Sequence, residues 1–210
     1  VTMLAVYYVF YQPRSLDHFA GDFYRNVFLT RAFMIFMIDL AVMTLLTIII
    51  LEVIDKYGPG GFWGMMRGKY VNPRIENRIF IFLDINNATT IAEELGHTKY
   101  FRLLRDFFAE ITIPLLANGG EIYQYVGDEV VLSWKNTPLN KQRCFRFLRQ
   151  SFFLLKRREV KFMKRYGVCP TFKAGIHSGE VTAGVIGIIK KDLVYSGDTL
   201  NTTARIRSKC

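Results

Sequence analysis

The distribution of apolar residues divides the chain into a membrane-type part and a part in which strand and helix patterns alternate. Residues 32–51, AFMIFMIDLAVMTLLTIIIL, carry a single charged side chain. At a rise of about 1.5 Å per residue, a helix of this length matches the hydrocarbon core of a bilayer. A signal peptide would have a shorter apolar run followed by a cleavage site with small residues. The pattern therefore predicts a transmembrane helix over about 32–54.

The segments on either side of this helix complete the predicted organisation. Residues 1–11, VTMLAVYYVFY, are apolar but too short to span, so we interpret them as the end of an earlier helix in a truncated chain. The prediction is membrane segments over 1–55, a juxtamembrane connector over 56–77 and a folded domain over 78–210. Asp39 lies inside the span, where a carboxylate costs about 2.5–3.5 kcal/mol. Asp39 has two possible roles. It is either a coupling or ligand-sensing position or the site of a structural hydrogen bond within a helix bundle.

Basic residues predict the orientation of the membrane part. They follow the span closely and are fewer before it, where only Arg14, Arg25 and Arg31 occur; those that follow are Lys56, Arg67, Lys69, Arg74 and Arg78. Because basic residues collect on the cytoplasmic side, the folded domain is expected in the cytoplasm of a multi-pass cell-membrane protein.

The first strand and helix of the folded domain are marked by contrasting apolar patterns. Residues 78–85, RIFIFLDI, form a nearly continuous apolar run that suits a buried central strand with Asp84 at its exit. Thr89 or Thr90 can cap the helix that follows. An apolar stripe then predicts a long helix that Gly119 and Gly120 end; its members are Leu103, Leu104, Phe107, Phe108 and Ile111.

The remaining elements are two hairpin patterns and two helices. GGEIYQYVGDEVVLSW, residues 119–134, predicts strand, Gly127–Asp128 turn and strand. Residues 171–187 suggest a second hairpin around Ser178-Gly179, DLVYSG a short strand and DTLNTTARIR a helix. A basic helix over 141–165 lies between them, with an apolar stripe at Phe145, Leu148, Phe152 and Leu155. The order of strands and helices predicts an α+β fold of ferredoxin-like type.

Charge and cysteine content narrow the classes of partner. The net charge of +10 is compatible with nucleic-acid binding, but the basic residues concentrate in 141–165, where they fit the solvated face of an amphipathic helix. We therefore expect no nucleic-acid partner. Cys144, Cys169 and Cys210 have no metal-ligand spacing and fit a reducing compartment.

Two aspartates are the candidates for chemistry. In the predicted fold the end of the first strand and the tip of the adjacent hairpin lie side by side, which brings Asp84 and Asp128 together. Two carboxylates in contact repel unless they are protonated or bridged by cations. Hard oxygen ligands suit Mg²⁺ or Mn²⁺, and an ion pair about 3.5–4 Å apart activates an attacking oxygen and neutralises phosphate. The alternative is a pair of ordinary solvated turn acids.

Four segments together resemble one enzyme family. FLDINNATTIAEELG, GGEIYQYVGDEV, AGIHSGEVTAG and GDTLNTTAR are similar in order and spacing to the class III nucleotidyl cyclase catalytic domain of adenylyl and guanylyl cyclases. The resemblance runs from about Arg78 to Cys210, so the folded domain is identified as a cyclase domain. It implies that about forty domain residues are missing after Cys210.

The resemblance also implies a site shared by two subunits. In the family, the 3′-hydroxyl of a nucleoside triphosphate attacks its own α-phosphate, and a cyclic nucleotide and pyrophosphate form. Two Mg²⁺ or Mn²⁺ ions per site would be held by Asp84, Asp128 and the Ile85 carbonyl. Asn201 and Arg205 match the transition-state pair that the opposite subunit contributes. The triphosphate would be wrapped by Asn86, Asn87, Ala88, Thr89 and Thr90, although Asn87 and Ala88 replace a more usual Gly-Phe.

The base-reading positions depart from the family pattern. Adenylyl cyclases usually have a lysine where this chain has Gln124, and an Asp or Thr where it has Val194; guanylyl cyclases have Glu and Cys. The implied function is a membrane-bound homodimeric adenylate cyclase that converts ATP to 3′,5′-cyclic AMP, with ATP preferred by analogy. The alternatives are a guanylate cyclase and an inactive cyclase-like receptor or nucleotide-binding module. Glu129 either caps the hairpin or supports the metal ligands.

Overall fold

The computed structural model describes residues 31–66, 69–70, 72–189 and 192–209, and the chain divides into two compact units between Pro59 and Gly60. The first element, helix α1, runs from Arg31 to Met66. Its segment Phe33–Ile54 is long and apolar enough to cross a bilayer, judged by length and composition. The predicted apolar segment 1–11 and the basic residues Arg14 and Arg25 lie outside the described residues.

Helix α1 satisfies its internal hydroxyl groups within its own backbone. Thr44 Oγ1 donates to the Leu40 carbonyl at 2.7 Å, and Thr47 Oγ1 donates to the Met43 carbonyl at 2.8 Å. Both hydroxyl groups therefore have a hydrogen-bond acceptor within the helix, as an apolar environment requires. The helix also continues to Met66, through part of the glycine-rich stretch that we predicted to be a connector.

The second unit is one antiparallel sheet with helices on its two faces. The strand order is β2-β3-β1-β4-β5, and every neighbouring pair is antiparallel. This arrangement confirms the predicted ferredoxin-like α+β fold. The elements in chain order are β1 Arg74–Ile85, α2 Ala88–Leu95, α3 His97–Ala117, β2 Glu121–Val126, β3 Glu129–Lys135, α4 Pro138–Tyr166, β4 Phe172–Ile186, β5 Asp192–Ser196 and α5 Asp198–Ser208.

The alternation of side chains along β1 builds a core on each face of the sheet. Ile79, Ile81 and Leu83 are buried on one face against α3 and α4. Phe80 and Phe82 are buried on the other face, together with residues of β4, β5 and α5. Burying each of these side chains contributes about 1.5–3 kcal/mol. Since side chains two apart share a face, Asp84 continues the row of Phe80 and Phe82 on the α5 side.

The predicted hairpin at Ser178-Gly179 is wrong, because β4 is one continuous strand through these residues. Ser178 pairs with Ile79, and Gly179 pairs with Arg78. The glycine serves helix packing instead: a Cβ at Gly179 would lie 2.5 Å from Thr199 Oγ1 on α5. The chain turns later, after Gly187, whose φ of +108° suits a residue without a side chain.

Two predictions for the helix after β1 also need correction. The predicted single helix is two, α2 and α3, separated at Gly96 with a φ of +71°. Neither Thr89 nor Thr90 is the cap. Helix α2 begins one residue earlier, at Ala88, and its N-cap is Asn87 in the left-handed region with φ 55°.

The apolar stripe predicted for α4 is wrong by about one residue. Phe145 and Phe152 are 66% and 58% exposed, while Leu155 is buried and Leu148 packs on the edge of the core. The buried row instead contains Cys144, Phe147, Ser151, Leu155, Phe162 and Tyr166. Small side chains at 144 and 151 let this side of the helix approach the sheet, which turns the two phenylalanines outward.

Candidate active site

Asp84 lies at the centre of a row of charged residues that crosses three strands. In the sheet register it pairs with Glu129 on β3 and with Lys173 on β4. Directly paired residues point to the same face, so the three side chains share the α5 face. The Asp84 side chain is only 10% exposed, and Lys173 Nζ lies 3.6 Å from its Oδ2. A buried carboxylate is thus held at the exit of the central strand.

The structure brings Asp128 next to Asp84. Asp128 sits in the β2–β3 turn beside Gly127, whose φ of +64° lets the chain reverse tightly. The pKa of the Asp128 carboxyl is raised, first by burial and then by the nearby Asp84 carboxyl. A carboxylate whose ionisation is disfavoured next to a second carboxylate forms a site that a cation would stabilise.

Arg207 on α5 pairs with two of these carboxylates. Its Nη1 donates to Asp84 Oδ2 at 2.9 Å, and its Nη2 lies 2.5 Å from Glu129 Oε2. Glu129 Oε2 and Arg207 Nε are buried, and neither makes a hydrogen bond to the described residues. Burial raises the pKa of Glu129, and the nearby Arg207 opposes that rise. Arg207 therefore acts as the counter-ion of the row.

The turn between β1 and α2 holds the residues that we predicted for the triphosphate. The Asn86 backbone N–H and side-chain Nδ2 donate to the Thr171 carbonyl and Oγ1, both at 2.9 Å. Among the described residues, Asn87 is the one non-glycine residue with positive φ. Ala88, Thr89 and Thr90 form the first turn of α2, where backbone N–H groups lack helical acceptors. The segment therefore offers free N–H donors beside Asp84.

Asn201 and Arg205 lie on the outer side of α5. Both are exposed, whereas Thr199 and Thr203 of the same helix are buried against the sheet. The arginine that contacts Asp84 within one chain is thus Arg207, two residues beyond the predicted Arg205. An outward-facing pair can serve a site to which a second molecule contributes.

Gln124 and Val194 lie on the two edge strands, β2 and β5, yet the curl of the sheet brings those strands together. The rings of Tyr123 and Tyr195, the sequence neighbours of the two residues, are 5.0 Å apart between centroids. The Tyr195 backbone N–H also donates to Tyr123 Oη at 3.2 Å. Gln124 follows a register shift in β2 and is exposed, and Val194 is half-buried opposite Gly184.

The sequence reasoning missed three residues of this site. They are Lys173 and Arg207, described above, and Tyr100 on α3. Burial raises the pKa of the Tyr100 hydroxyl, and the charges of Asp128 and Asp84 raise it further. Lys173 could have been found from the strand register alone. Arg207 depends on the packing of α5, which the sequence pattern does not reveal.

The carboxylates fit a divalent cation whose coordination is completed by other groups. Within the described ranges, no group of three or more His, Cys, Asp or Glu side chains is arranged to hold an ion. Mg²⁺ commonly binds through one or two carboxylates, with substrate phosphates and water supplying the rest. The Asp84 and Asp128 side chains match that donor set, and a bound cation would oppose the burial and the nearby Asp84 carboxyl that together raise the Asp128 pKa.

Comparison of the sequence with known proteins identifies the family to which this fold belongs. The family model described as the adenylate and guanylate cyclase catalytic domain matches residues 71–210. Adenylate cyclase 2 of Rhizobium meliloti (strain 1021) is 34% identical over 167 residues, covering 78% of this chain and 45% of that protein. Adenylate cyclase 1 of the same organism is 30% identical over 132 residues, covering 60% and 20%. The chain thus spans less than half the length of these curated relatives.

Solved structures show the same fold. A bacterial light-regulated adenylyl cyclase superposes with a TM-score of 0.67 at 24% identity, covering 80% of this chain and 52% of that one. The guanylate cyclase domain of RhGC from Catenaria anguillulae, solved in complex with GTP, gives 0.56 at 24% identity, covering 64% and 74%. With the family model matching most of its length, the chain belongs to the class III adenylate and guanylate cyclase family.

Proposed function

We propose that this protein is a membrane-bound adenylate cyclase that converts ATP to 3′,5′-cyclic AMP and pyrophosphate at a homodimer interface. The observation that carries the proposal is the buried Asp84 carboxylate with Asp128 beside it, next to the backbone N–H groups of residues 87–90 at the start of α2. This pairing of an acidic cation site with an anion site suits a metal-bound triphosphate.

Asp84, Asp128 and the Ile85 carbonyl would hold two Mg²⁺ or Mn²⁺ ions. When bound, such ions would neutralise phosphate charge and lower the pKa of the 3′-hydroxyl. The backbone N–H groups of residues 87–90 would donate to the β- and γ-phosphates, with the turn held in place by the Asn86–Thr171 contacts. The carboxylates would thus orient the α-phosphate while the turn binds the leaving pyrophosphate.

Asn201 and Arg205 would act on the nucleotide held by a second copy. Their exposure on the outer side of α5 supports this assignment, because neither is needed for packing within its own chain. The Asn201 amide would position the ribose, and the Arg205 guanidinium would neutralise charge that develops on the α-phosphate. If each copy contributes these residues to the site of the other, the result is a homodimer with two equivalent sites.

The choice of base would rest on Gln124, with Val194 shaping the pocket. A glutamine amide both donates and accepts hydrogen bonds, so it can pair with adenine N1 and N6 or with guanine N1 and O6. We favour ATP because two Rhizobium relatives that are at least 30% identical are adenylate cyclases, while the membrane guanylyl cyclase of Dictyostelium discoideum is 23% identical. GTP is the second candidate, because Gln124 fits it equally well.

The membrane part would carry regulation. Helix α1 contains the apolar segment Phe33–Ile54, and basic residues are more numerous after it than before it. We propose membrane segments over 1–55, a connector over 56–77 and a cytoplasmic catalytic domain over 78–210, in a multi-pass protein of the cell membrane. A change in the bundle that realigns two catalytic domains would switch the enzyme, because each site needs both.

A cyclase assay on the full-length protein in membranes tests this proposal. The assay supplies Mn²⁺ with either ATP or GTP, and Asp84→Ala serves as the inactive control. Cyclic AMP from the wild type alone is the expected result. Cyclic GMP would keep the mechanism and change the base. No product from a protein shown to be dimeric would instead support an inactive cyclase-like receptor module.

A further inference from the structure

The guanidinium of Arg207 is hydrogen-bonded to a carboxylate oxygen that a bound metal ion would need. Arg207 Nη1 donates to Asp84 Oδ2 at 2.9 Å, and Lys173 Nζ is 3.6 Å from the same oxygen. The other terminal nitrogen of Arg207 faces Glu129. A divalent ion that approaches Asp84 therefore meets a positive charge already in place.

The packing of α5 fixes the position from which Arg207 reaches the carboxylates. A Cβ at Gly175 on β4 would lie 2.5 Å from the Arg207 backbone nitrogen and 2.6 Å from the Thr203 carbonyl oxygen. The helix backbone thus rests directly on the strand at this point. Arg207 can leave Asp84 only by a rotation of its side chain or by a shift of the last turn of α5.

The same helix carries the outward-facing pair assigned to catalysis. Asn201 and Arg205 are exposed, while Thr199, Thr203 and Arg207 lie on the side packed on the sheet. A shift of α5 that frees Asp84 would also move Asn201 and Arg205. The helix therefore connects the carboxylates of its own chain with groups that serve a second copy.

We propose that Arg207 is a positioning residue that acts as a built-in counter-ion: it neutralises Asp84 and Glu129 in the metal-free protein and yields Asp84 to the divalent cation. This inference rests on the proposed function, since it assigns Asp84 to a metal. Binding of the cation then includes the cost of breaking the Arg207–Asp84 ion pair. The bare site binds cations weakly, and α5 changes position when they enter.

Mn²⁺ binding to the full chain in detergent, without nucleotide, tests the counter-ion role. The free Mn²⁺ signal in electron paramagnetic resonance gives the affinity directly. Arg207→Ala is expected to bind Mn²⁺ about tenfold more tightly than wild type, because it removes a competing charge. Arg207→Lys, which keeps the charge, should stay near wild type. Lys209→Ala removes an equal charge from an exposed residue next to the helix end and should change nothing.

Weaker or unchanged Mn²⁺ binding by Arg207→Ala would overturn the inference. If Arg207 merely supported the ligands, its removal would lower the affinity of the protein for Mn²⁺. The Asp84→Asn variant distinguishes a failure of the metal-site assignment from a failure of the counter-ion role. If Asp84→Asn binds Mn²⁺ as well as wild type, the metal site itself is misassigned. If it loses binding while Arg207→Ala does not gain, only the counter-ion role fails.

A second measurement keeps the inference testable if Arg207→Ala does not fold. Hydrogen exchange of the wild-type α5 backbone amides is followed with and without Mn²⁺. Displacement of Arg207 from Asp84 should speed exchange in the last turn of α5 several-fold, with α4 as an internal reference. Equal exchange in α5 under both conditions, at saturating Mn²⁺, would contradict the proposed movement of α5.

Discussion

The hydroxyl oxygen of Tyr123 accepts a hydrogen bond from the backbone N–H of Tyr195 at 3.2 Å, and this contact joins the first and last strands of the sheet order. Their rings are nearly perpendicular at a centroid distance of 5.0 Å, and both pack edge-on against Phe80. The curl of the sheet is thus fixed next to Gln124 and Val194.

Replacing Tyr123 by Phe should loosen that closure without emptying the core. The change leaves the Tyr195 N–H without its acceptor, so we expect the free energy of unfolding to fall by about 1–2 kcal/mol in chemical denaturation. The KM for nucleotide should rise more than kcat falls. Tyr123→Leu, which also removes the ring, should lose more stability. An unchanged free energy of unfolding in Tyr123→Phe would show that the hydrogen bond contributes nothing.

The left-handed backbone of Asn87 makes a second prediction. At φ 55°, glycine is free of strain and asparagine is tolerated, but a β-branched residue is not. Asn87→Gly should therefore keep stability and nucleotide affinity near wild type. Asn87→Val should lose about 1–2 kcal/mol of stability and bind triphosphate more weakly, as measured by thermal unfolding with and without nucleotide. A fully tolerated valine would contradict the strained turn.

The contact between Gly175 and α5 gives a prediction with a matched control in the same strand. A methyl group at Gly175 would press on the backbone of Arg207 and Thr203, so Gly175→Ala should destabilise the protein by about 1–3 kcal/mol and reduce kcat. At Gly184, also on β4, the nearest atoms to a new Cβ are 3.6 Å away on Pro73. Gly184→Ala should leave both quantities unchanged. Equal stability of the two variants would argue against close helix packing.

The ion pairs of Glu76 should make the free energy of unfolding depend on pH in the acidic range. Burial raises the pKa of Glu76, but hydrogen bonds from Lys69 and Arg78 outweigh it and lower the pKa to about 2. Because the folded pKa lies below the unfolded one, the stabilisation is complete above about pH 5 and is lost as the pH falls toward 2.

Replacing Glu76 by Gln should therefore lower the free energy of unfolding at pH 7 by about 2 kcal/mol, after allowance for solvent screening. It should also flatten the fall in stability between pH 5 and pH 2 in denaturation curves recorded across that range. The exposed Glu94→Gln is the control and should leave the pH profile as it is. An unchanged acid limb in Glu76→Gln would rule out the ion-pair contribution.

The base-reading positions give a prediction for specificity. Gln124→Lys together with Val194→Asp restores the pair usual in adenylyl cyclases and should raise the ratio of kcat/KM for ATP over GTP by about tenfold or more. Gln124→Glu with Val194→Cys should shift the ratio toward GTP. The ratio is measured with both nucleotides under one Mn²⁺ concentration. No change in either double variant would mean that other residues read the base.

The sequence was sufficient where local chemistry decides the structure. The continuous apolar run before Asp84 suits only a strand buried on both faces, and β1 is that strand. Gly127 was assigned to a tight turn, and its positive φ is found there. The neighbourhood of Asp84 and Asp128 followed from this strand and this turn, because the topology brings their ends together.

The sequence failed where a distant element decides. Gly179 was interpreted as a turn residue, but its missing side chain makes room for Thr199 on α5. Arg207 reaches Asp84 across 123 positions of the chain, a contact that no local pattern contains. In α4, large apolar residues occur in two adjacent rows. The row that faces the sheet contains the small side chains of Cys144 and Ser151, which a search for large apolar residues does not detect.

Helix α5 has consequences for how this protein tolerates mutation. Its inner side is confined by the bare backbone of Gly175 and Gly179, and its outer side presents Asn201 and Arg205. A substitution on the inner side that shifts the helix would also move Asn201 and Arg205, so both sides of this helix are constrained. Helix α4, with its open outer row, can drift residue by residue. Sequence divergence should therefore accumulate in α4 long before it reaches α5.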